Sequence, residues 1–78
     1  MFEYEITNFQ DETLYHEQCR ALEKHIPGLT QSEQVTDVDG TLIRSYLLGD
    51  KKLVILNSKD FGIYIRSEFD IDPYFDNH

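Results

Sequence analysis

Three side chains in the first third of the chain are of types that bind zinc: His16, Cys19 and His25. They lie in a segment with helical spacing, where residues three or four apart share one side. His16 and Cys19 can therefore meet. His25 follows Cys19 by six positions, and about 600° of rotation places it on nearly the opposite side of the helix. We therefore predict no metal site and no cofactor.

Cys19 is the single cysteine of the chain. It falls within an apolar stripe and has no base nearby in sequence, so we expect a small buried hydrophobic residue and not a nucleophile. A lone cysteine also offers no disulfide framework. Residues 1–5 show neither the basic nor the apolar region of a secretory signal, and we expect a cytoplasmic protein.

Two aspartates stand close together in the string Asp37-Val38-Asp39-Gly40-Thr41-Leu42. The string resembles the first motif of the haloacid-dehalogenase-type phosphatases, and the resemblance implies a nucleophilic Asp37 with Asp39 as acid and base. The alternative is structural, because Asp-Gly between two alternating runs is typical of a two-residue type I′ hairpin turn. Gln34 and Thr36 interrupt the preceding run, and 78 residues are too few for that family's Rossmann-like domain. We predict a turn and no enzyme.

Composition predicts one small folded unit. The 78 residues carry a formal net charge of -8, with five Tyr and five Phe, and this aromatic content argues against disorder. A chain of this size buries about 60% of its unfolded surface, enough for one core. We expect a single domain over residues 1–78 with an acidic tail from about residue 70. The longest apolar run, Leu53 to Leu56, is far shorter than the roughly 20 residues of a membrane helix, and we expect no membrane partner.

Hydrophobic periodicity predicts one helix and several strands. An amphipathic helix from about Asp11 is indicated by apolar residues spaced by four, three and four, and Pro27-Gly28 end it. The members of this stripe are Tyr15, Cys19, Leu22 and Ile26. Strands with alternating patterns are predicted over residues 2–7, 34–38, 41–48, 52–56 and 61–69.

These elements predict a two-layer α+β fold, with one amphipathic helix packed on four or five antiparallel strands in the order β-α-β-β-β-β. The order resembles the cystatin-like architecture, which implies a helix held against a curved antiparallel sheet. A shared fold does not transfer a function.

The sheet face opposite the helix is the feature that points most directly to a function. Tyr and Arg are enriched in binding hot spots, and an open apolar patch usually marks an interface. The alternative is that the aromatic tail, Phe69 to Phe75, folds over this face and closes it. The residues that we expect on the face are Arg44, Tyr46, Val54, Leu56, Tyr64 and Arg66.

We therefore expect a small acidic, non-enzymatic protein-interaction module, of the immunity, antitoxin or inhibitor type or a homodimeric accessory protein. Its partner would be another protein or a second copy. One alternative is a nucleic-acid-binding module that uses Arg44, Tyr46, Tyr64 and Arg66, although an acidic chain is repelled by phosphates. A more remote alternative is a small metal-dependent hydrolase centred on Asp37 and Asp39.

Overall fold

The computed structural model describes residues 1–75. All strands belong to one antiparallel sheet with the spatial order β1-β5-β4-β3-β2. The predicted α+β fold, with one amphipathic helix on an antiparallel sheet, is confirmed. Within residues 1–75 no helix has the length and apolar character that crossing a membrane would need. The elements are β1 (Phe2–Glu5), α1 (Glu12–His25), β2 (Thr30–Thr36), β3 (Leu42–Leu48), β4 (Lys51–Ser58), β5 (Gly62–Ser67) and α2 (Asp72–Phe75).

Helix α1 begins and ends where its sequence signals predict. The Asp11 carboxylate accepts a hydrogen bond of 3.0 Å from the Leu14 N–H, which satisfies one of the free donors at the helix start. At the other end the Ile26 N–H donates to the Leu22 carbonyl oxygen. The predicted stripe is buried and faces the sheet, with all four members fully inaccessible to solvent: Tyr15, Cys19, Leu22 and Ile26.

The first and last strands lie side by side. β1 is at the edge of the sheet and pairs with β5, so that Glu3 is opposite Arg66 and Tyr4 is opposite Ile65. β2, which follows α1, occupies the other edge. Helix α1 thus connects the two edges of the sheet, and residues far apart in sequence become neighbours.

The turn between β2 and β3 differs from the prediction. Gly40 donates to the Asp37 carbonyl oxygen at 3.0 Å, and the Asp37 N–H donates to the Thr41 carbonyl oxygen at 2.8 Å. Gly40 has a positive φ of 89°, whereas no described residue other than glycine does. A type I′ turn needs positive φ at both central positions, so that prediction is wrong, and the turn is a three-residue loop completed by a left-handed glycine. β2 also begins earlier than predicted, at Thr30.

The C-terminal segment packs on the helix side of the sheet. Ile71 is buried, its N–H donates to the Tyr4 hydroxyl at 3.1 Å, and that hydroxyl donates to Asp70 at 2.8 Å. The ring of Phe75 lies 4.9 Å from that of His25 on α1. Up to Phe75 the predicted acidic tail is therefore anchored to the core by Ile71, while Asp70, Asp72 and Pro73 are exposed. The rest of that prediction, residues 76–78, falls outside the described residues.

Candidate functional site

The register of the sheet assigns each predicted site residue to a face. Arg44 lies opposite Ile55, and Tyr46 lies opposite Leu53. Ile55 and Leu53 are both buried in the core beneath α1. Directly opposite residues of an antiparallel pair project to the same side, so Arg44 and Tyr46 face the helix. The prediction that they lie on the opposite face is wrong.

The physical reason is that both alternating sets of β3 contain apolar residues, so that alternation alone does not select the buried set. Tyr46 is fully buried because its large ring fills the core and its hydroxyl donates a 2.6 Å hydrogen bond to Glu23 of α1. A buried tyrosine normally finds such a partner. The residues that β3 turns to the opposite side are Ile43, Ser45 and Leu47.

Arg44 and its neighbours form a polar cluster between β3 and α1. Its guanidinium lies 3.7 Å from the Glu23 carboxylate and donates two hydrogen bonds to the Gln34 side chain, at 2.7 and 3.2 Å. It also lies 5.9 Å from the centre of the Tyr15 ring. Burial and then the hydrogen bond to Glu23 hold the pKa of Tyr46 well above its usual value. Burial also raises the pKa of the Cys19 thiol, which keeps it protonated and a poor nucleophile. The cluster fastens α1 to the sheet.

The remaining four predicted residues lie together on the sheet face opposite α1, hereafter the outer face. Leu56 is directly opposite Tyr64, and Val54 is directly opposite Arg66. Their neighbours on the same strands face the core, as Ile55 and Ile65 do. The outer face therefore carries Val54, Leu56, Tyr64 and Arg66, as the sequence predicts for these four.

An apolar row crosses the outer face from β2 to β5. It consists of Val35, Ile43, Leu56 and Tyr64, each directly opposite the next in the neighbouring strand. Glu5 of β1 continues the row beyond Tyr64. Val35 and Ile43 were not predicted as site residues, because the alternation in β3 was assigned the wrong buried set. The strand pairing locates both residues, because Ile43 lies opposite Leu56 and Val35 lies opposite Ile43.

A second row runs parallel to the first and carries three charged side chains. Its members, in spatial order, are Glu33, Ser45, Val54, Arg66 and Glu3. Arg66 lies 3.9 Å from Glu3 through its Nε atom, a distance at the outer limit of a salt bridge. Acidic side chains thus stand at both ends of this charged row, on the edge strands β1 and β2.

Two adjoining hollows mark the β1 side of the outer face. The larger, the acidic groove, has a volume of about 420 Å³ and is lined by Glu3, Tyr4, Glu5, Phe61, Tyr64 and Arg66. The smaller, of about 310 Å³, is lined by Met1, Lys52, Val54, Leu56, Tyr64, Arg66 and Glu68. Tyr64 and Arg66 line both hollows, whereas Val54 and Leu56 line only the smaller one.

The two aspartates of the phosphatase-like string accept hydrogen bonds within their own turn. The Asp39 carboxylate accepts from the Thr41 N–H at 3.0 Å, and hydrogen bonds from Thr41 lower the pKa of Asp39. The Asp37 carboxylate accepts from the Val38 N–H at 2.7 Å. In residues 1–75 no group of three His, Cys, Asp or Glu side chains is placed to hold a metal ion.

No protein-family model matches the sequence, and comparison with curated proteins and with solved structures gives no significant match. The outer face and its two hollows are therefore the features from which a function can be inferred.

Proposed function

We propose that this protein is a non-enzymatic interaction module that covers part of another protein's surface with its outer face. The observation that carries the proposal is the apolar row Val35, Ile43, Leu56 and Tyr64, which crosses the sheet from β2 to β5. A contiguous apolar patch on the surface of a folded protein usually marks a contact with a partner. Immunity proteins, antitoxins and inhibitors act in this way, and we place the protein in that functional class.

The position of the C-terminal segment supports the proposal. Ile71 is part of the same core as the residues of α1, and the ring of Phe75 contacts that of His25 at a tilt of 37°. The chain up to Phe75 is thereby held on the helix side. Covering of the outer face by this aromatic segment was the main alternative to a binding role, and the described part of the segment lies elsewhere.

The composition of the face suits a binding hot spot. Tyr64 occupies the junction of the two hollows, where a partner would exclude water from its ring while its hydroxyl stays available for hydrogen bonding. Such centrally placed aromatic residues contribute most to binding free energy in protein interfaces, whereas the surrounding charged residues contribute little.

The arrangement of the residues favours a protein partner over a nucleic acid, because the four residues of the nucleic-acid alternative do not share a face. Tyr46 and Arg44 project towards α1, whereas Tyr64 and Arg66 project outwards. The charged row also ends in Glu3 and Glu33, which would repel a phosphate backbone.

The test compares apolar-to-acidic substitutions on and off the outer face. Leu56→Asp should abolish capture of the native partner from the source organism, because a charge in the middle of the apolar row must be desolvated on binding. The matched control is Val38→Asp, which alters a fully exposed side chain in the β2–β3 turn and should leave capture intact. Thermal unfolding of each variant monitors the fold.

Tyr64→Ala extends the test without introducing a charge. It should weaken partner binding by about 2 kcal/mol if the ring is an anchor, and it should change the melting temperature little. Equal capture by wild type, Leu56→Asp and Tyr64→Ala, all folded, would refute the proposal. If light scattering shows that the wild type is a dimer and the Leu56→Asp variant a monomer, the partner is a second copy.

A further inference from the structure

The proposed binding role leaves open what kind of protein the outer face accepts. We propose that the partner is basic and that it seats a Lys or Arg side chain in the acidic groove between β1 and β5. This inference rests on the proposed function and adds the chemistry of the partner's anchor residue.

The lining of the acidic groove suits a Lys or Arg side chain, because it combines aromatic rings with carboxylates. Phe61 is 67% exposed and, with Tyr64, supplies aromatic surface to the groove. Such rings attract an ammonium or guanidinium group placed over their faces. Glu3 and Glu5 add two carboxylates to the same groove, and charge-assisted hydrogen bonds to carboxylates are the strong ones.

Glu5 is the carboxylate available to an incoming cation. Within residues 1–75 its side chain takes part in no salt bridge and no hydrogen bond, although it is opposite Tyr64 in the register. Glu3 is only loosely engaged, because Arg66 lies 3.9 Å away. Two carboxylates and one guanidinium leave the groove with an excess of negative charge.

Charge complementarity favours a basic partner over a second copy of this chain. The net charge of -8 would be carried by both copies of a homodimer, and face-to-face contact would bring Glu3, Glu5 and Glu33 of each copy to one interface. Like charges brought together in one interface repel each other. The acidic protein instead attracts a basic surface from a distance and accelerates its approach.

The first experiment is an NMR titration of the full-length protein with acetylated and amidated tri-arginine peptide. Saturable chemical-shift changes should concentrate on the amides of β1 and β5 near Glu3, Glu5 and Tyr64. The matched probe is tri-citrulline, which keeps the shape of arginine without its charge, and it should produce no saturable change. Raising the salt concentration should weaken tri-arginine binding, because exposed charges are screened over about 10 Å at 0.1 M salt.

Two variants that each remove one negative charge distinguish binding in the groove from general attraction to an acidic protein. Glu5→Gln should weaken tri-arginine binding by roughly two- to fivefold, as expected for one exposed ion pair. Glu17→Gln removes the same charge from an exposed position on α1 and should leave the apparent Kd nearly unchanged. Equal effects of the two variants, or shifts spread over α1 as well as β1, would overturn the inference.

The outcome for the cationic anchor is distinguishable from that for the proposed function. If Leu56→Asp abolishes partner capture and Glu5→Gln leaves both capture and tri-arginine binding unchanged, the outer face is an interface and the basic anchor is refuted. If the free protein sediments as a dimer that Leu56→Asp dissociates, a second copy occupies the face and the basic partner is likewise refuted.

Discussion

The hydroxyl of Tyr46 donates a 2.6 Å hydrogen bond to the carboxylate of Glu23 and so connects β3 to α1. Tyr46 is fully buried, and the hydrogen bond requires that its side of β3 face the helix. Because side chains alternate along a strand, burying Tyr46 turns Ile43, Ser45 and Leu47 to the outer face. The contact between sheet and helix therefore also determines the composition of the proposed binding face.

Tyr46→Phe should lower the free energy of unfolding by about 1–2 kcal/mol, because it removes a hydrogen bond to a charged but partly exposed carboxylate. The measurement is urea unfolding at neutral pH. Tyr64→Phe is the matched control on the outer face and should change stability by less than about 0.5 kcal/mol. Equal losses in the two variants would mean that the bond to Glu23 contributes nothing to stability.

Tyr15→Phe should leave stability unchanged or raise it by about 1 kcal/mol. The Tyr15 hydroxyl is buried, and no hydrogen-bond partner for it stands among the residues that the structure describes. Removing an unsatisfied buried group relieves the cost of its desolvation. A loss of more than about 1 kcal/mol in the same urea assay would show that the hydroxyl has a partner in solution.

Stability should fall as the pH rises above about 9. Burial raises the pKa of Cys19 above its usual 9.0 and, as the main cause, raises the pKa of Tyr15 from 10.0 to about 12. Between the unfolded and folded pKa values the native state keeps protons that the unfolded state has released. The native state thus binds more protons, and the free energy of unfolding decreases with pH.

The measurement for this pH dependence is urea unfolding between pH 7 and 11. Tyr15→Phe removes one of the groups whose pKa is raised, so its stability should decline less steeply than that of the wild type above pH 10. A pH-independent free energy of unfolding across this range would contradict the prediction.

Gly62→Ala should destabilise the protein by about 3 kcal/mol or more, because the left-handed conformation and a backbone clash act together. Gly62 has a φ of 82°, and a Cβ atom there would lie 2.5 Å from the Phe9 nitrogen and 2.6 Å from the Thr7 oxygen. Gly40→Ala is the control, since Gly40 has a φ of 89° but open space around it. It should cost only about 1 kcal/mol. Similar losses at the two positions would exclude the clash.

Leu22→Ala should cost roughly 2–4 kcal/mol, because it leaves a cavity beneath α1. Leu22 is fully buried, whereas Leu47 on the outer face is 39% exposed. Leu47→Ala deletes the same atoms and should cost less than about 1 kcal/mol. Chemical denaturation of both variants would show whether the core beneath α1 and the outer face differ in this way, and equal losses would contradict the assignment.

Local patterns in the sequence determined the elements and part of the site. The spacing of Tyr15, Cys19, Leu22 and Ile26 gives the buried side of α1 correctly, because helical periodicity depends only on neighbours within a few turns. The alternation in β5 likewise places Ile63 and Ile65 inside and Tyr64 and Arg66 outside. In these segments only one alternating set is suited to burial.

Tertiary structure alone decided the rest. In β3 both sets contain apolar residues, and Tyr46 faces inwards, where Glu23, far away in sequence, accepts a hydrogen bond from its hydroxyl. The C-terminal segment lies on the helix side because Ile71 finds room in the core and Tyr4 bonds to Asp70. The acidic groove exists because β1 pairs with β5. Each of these outcomes depends on long-range contacts, and local periodicity carries no information about which distant residues meet.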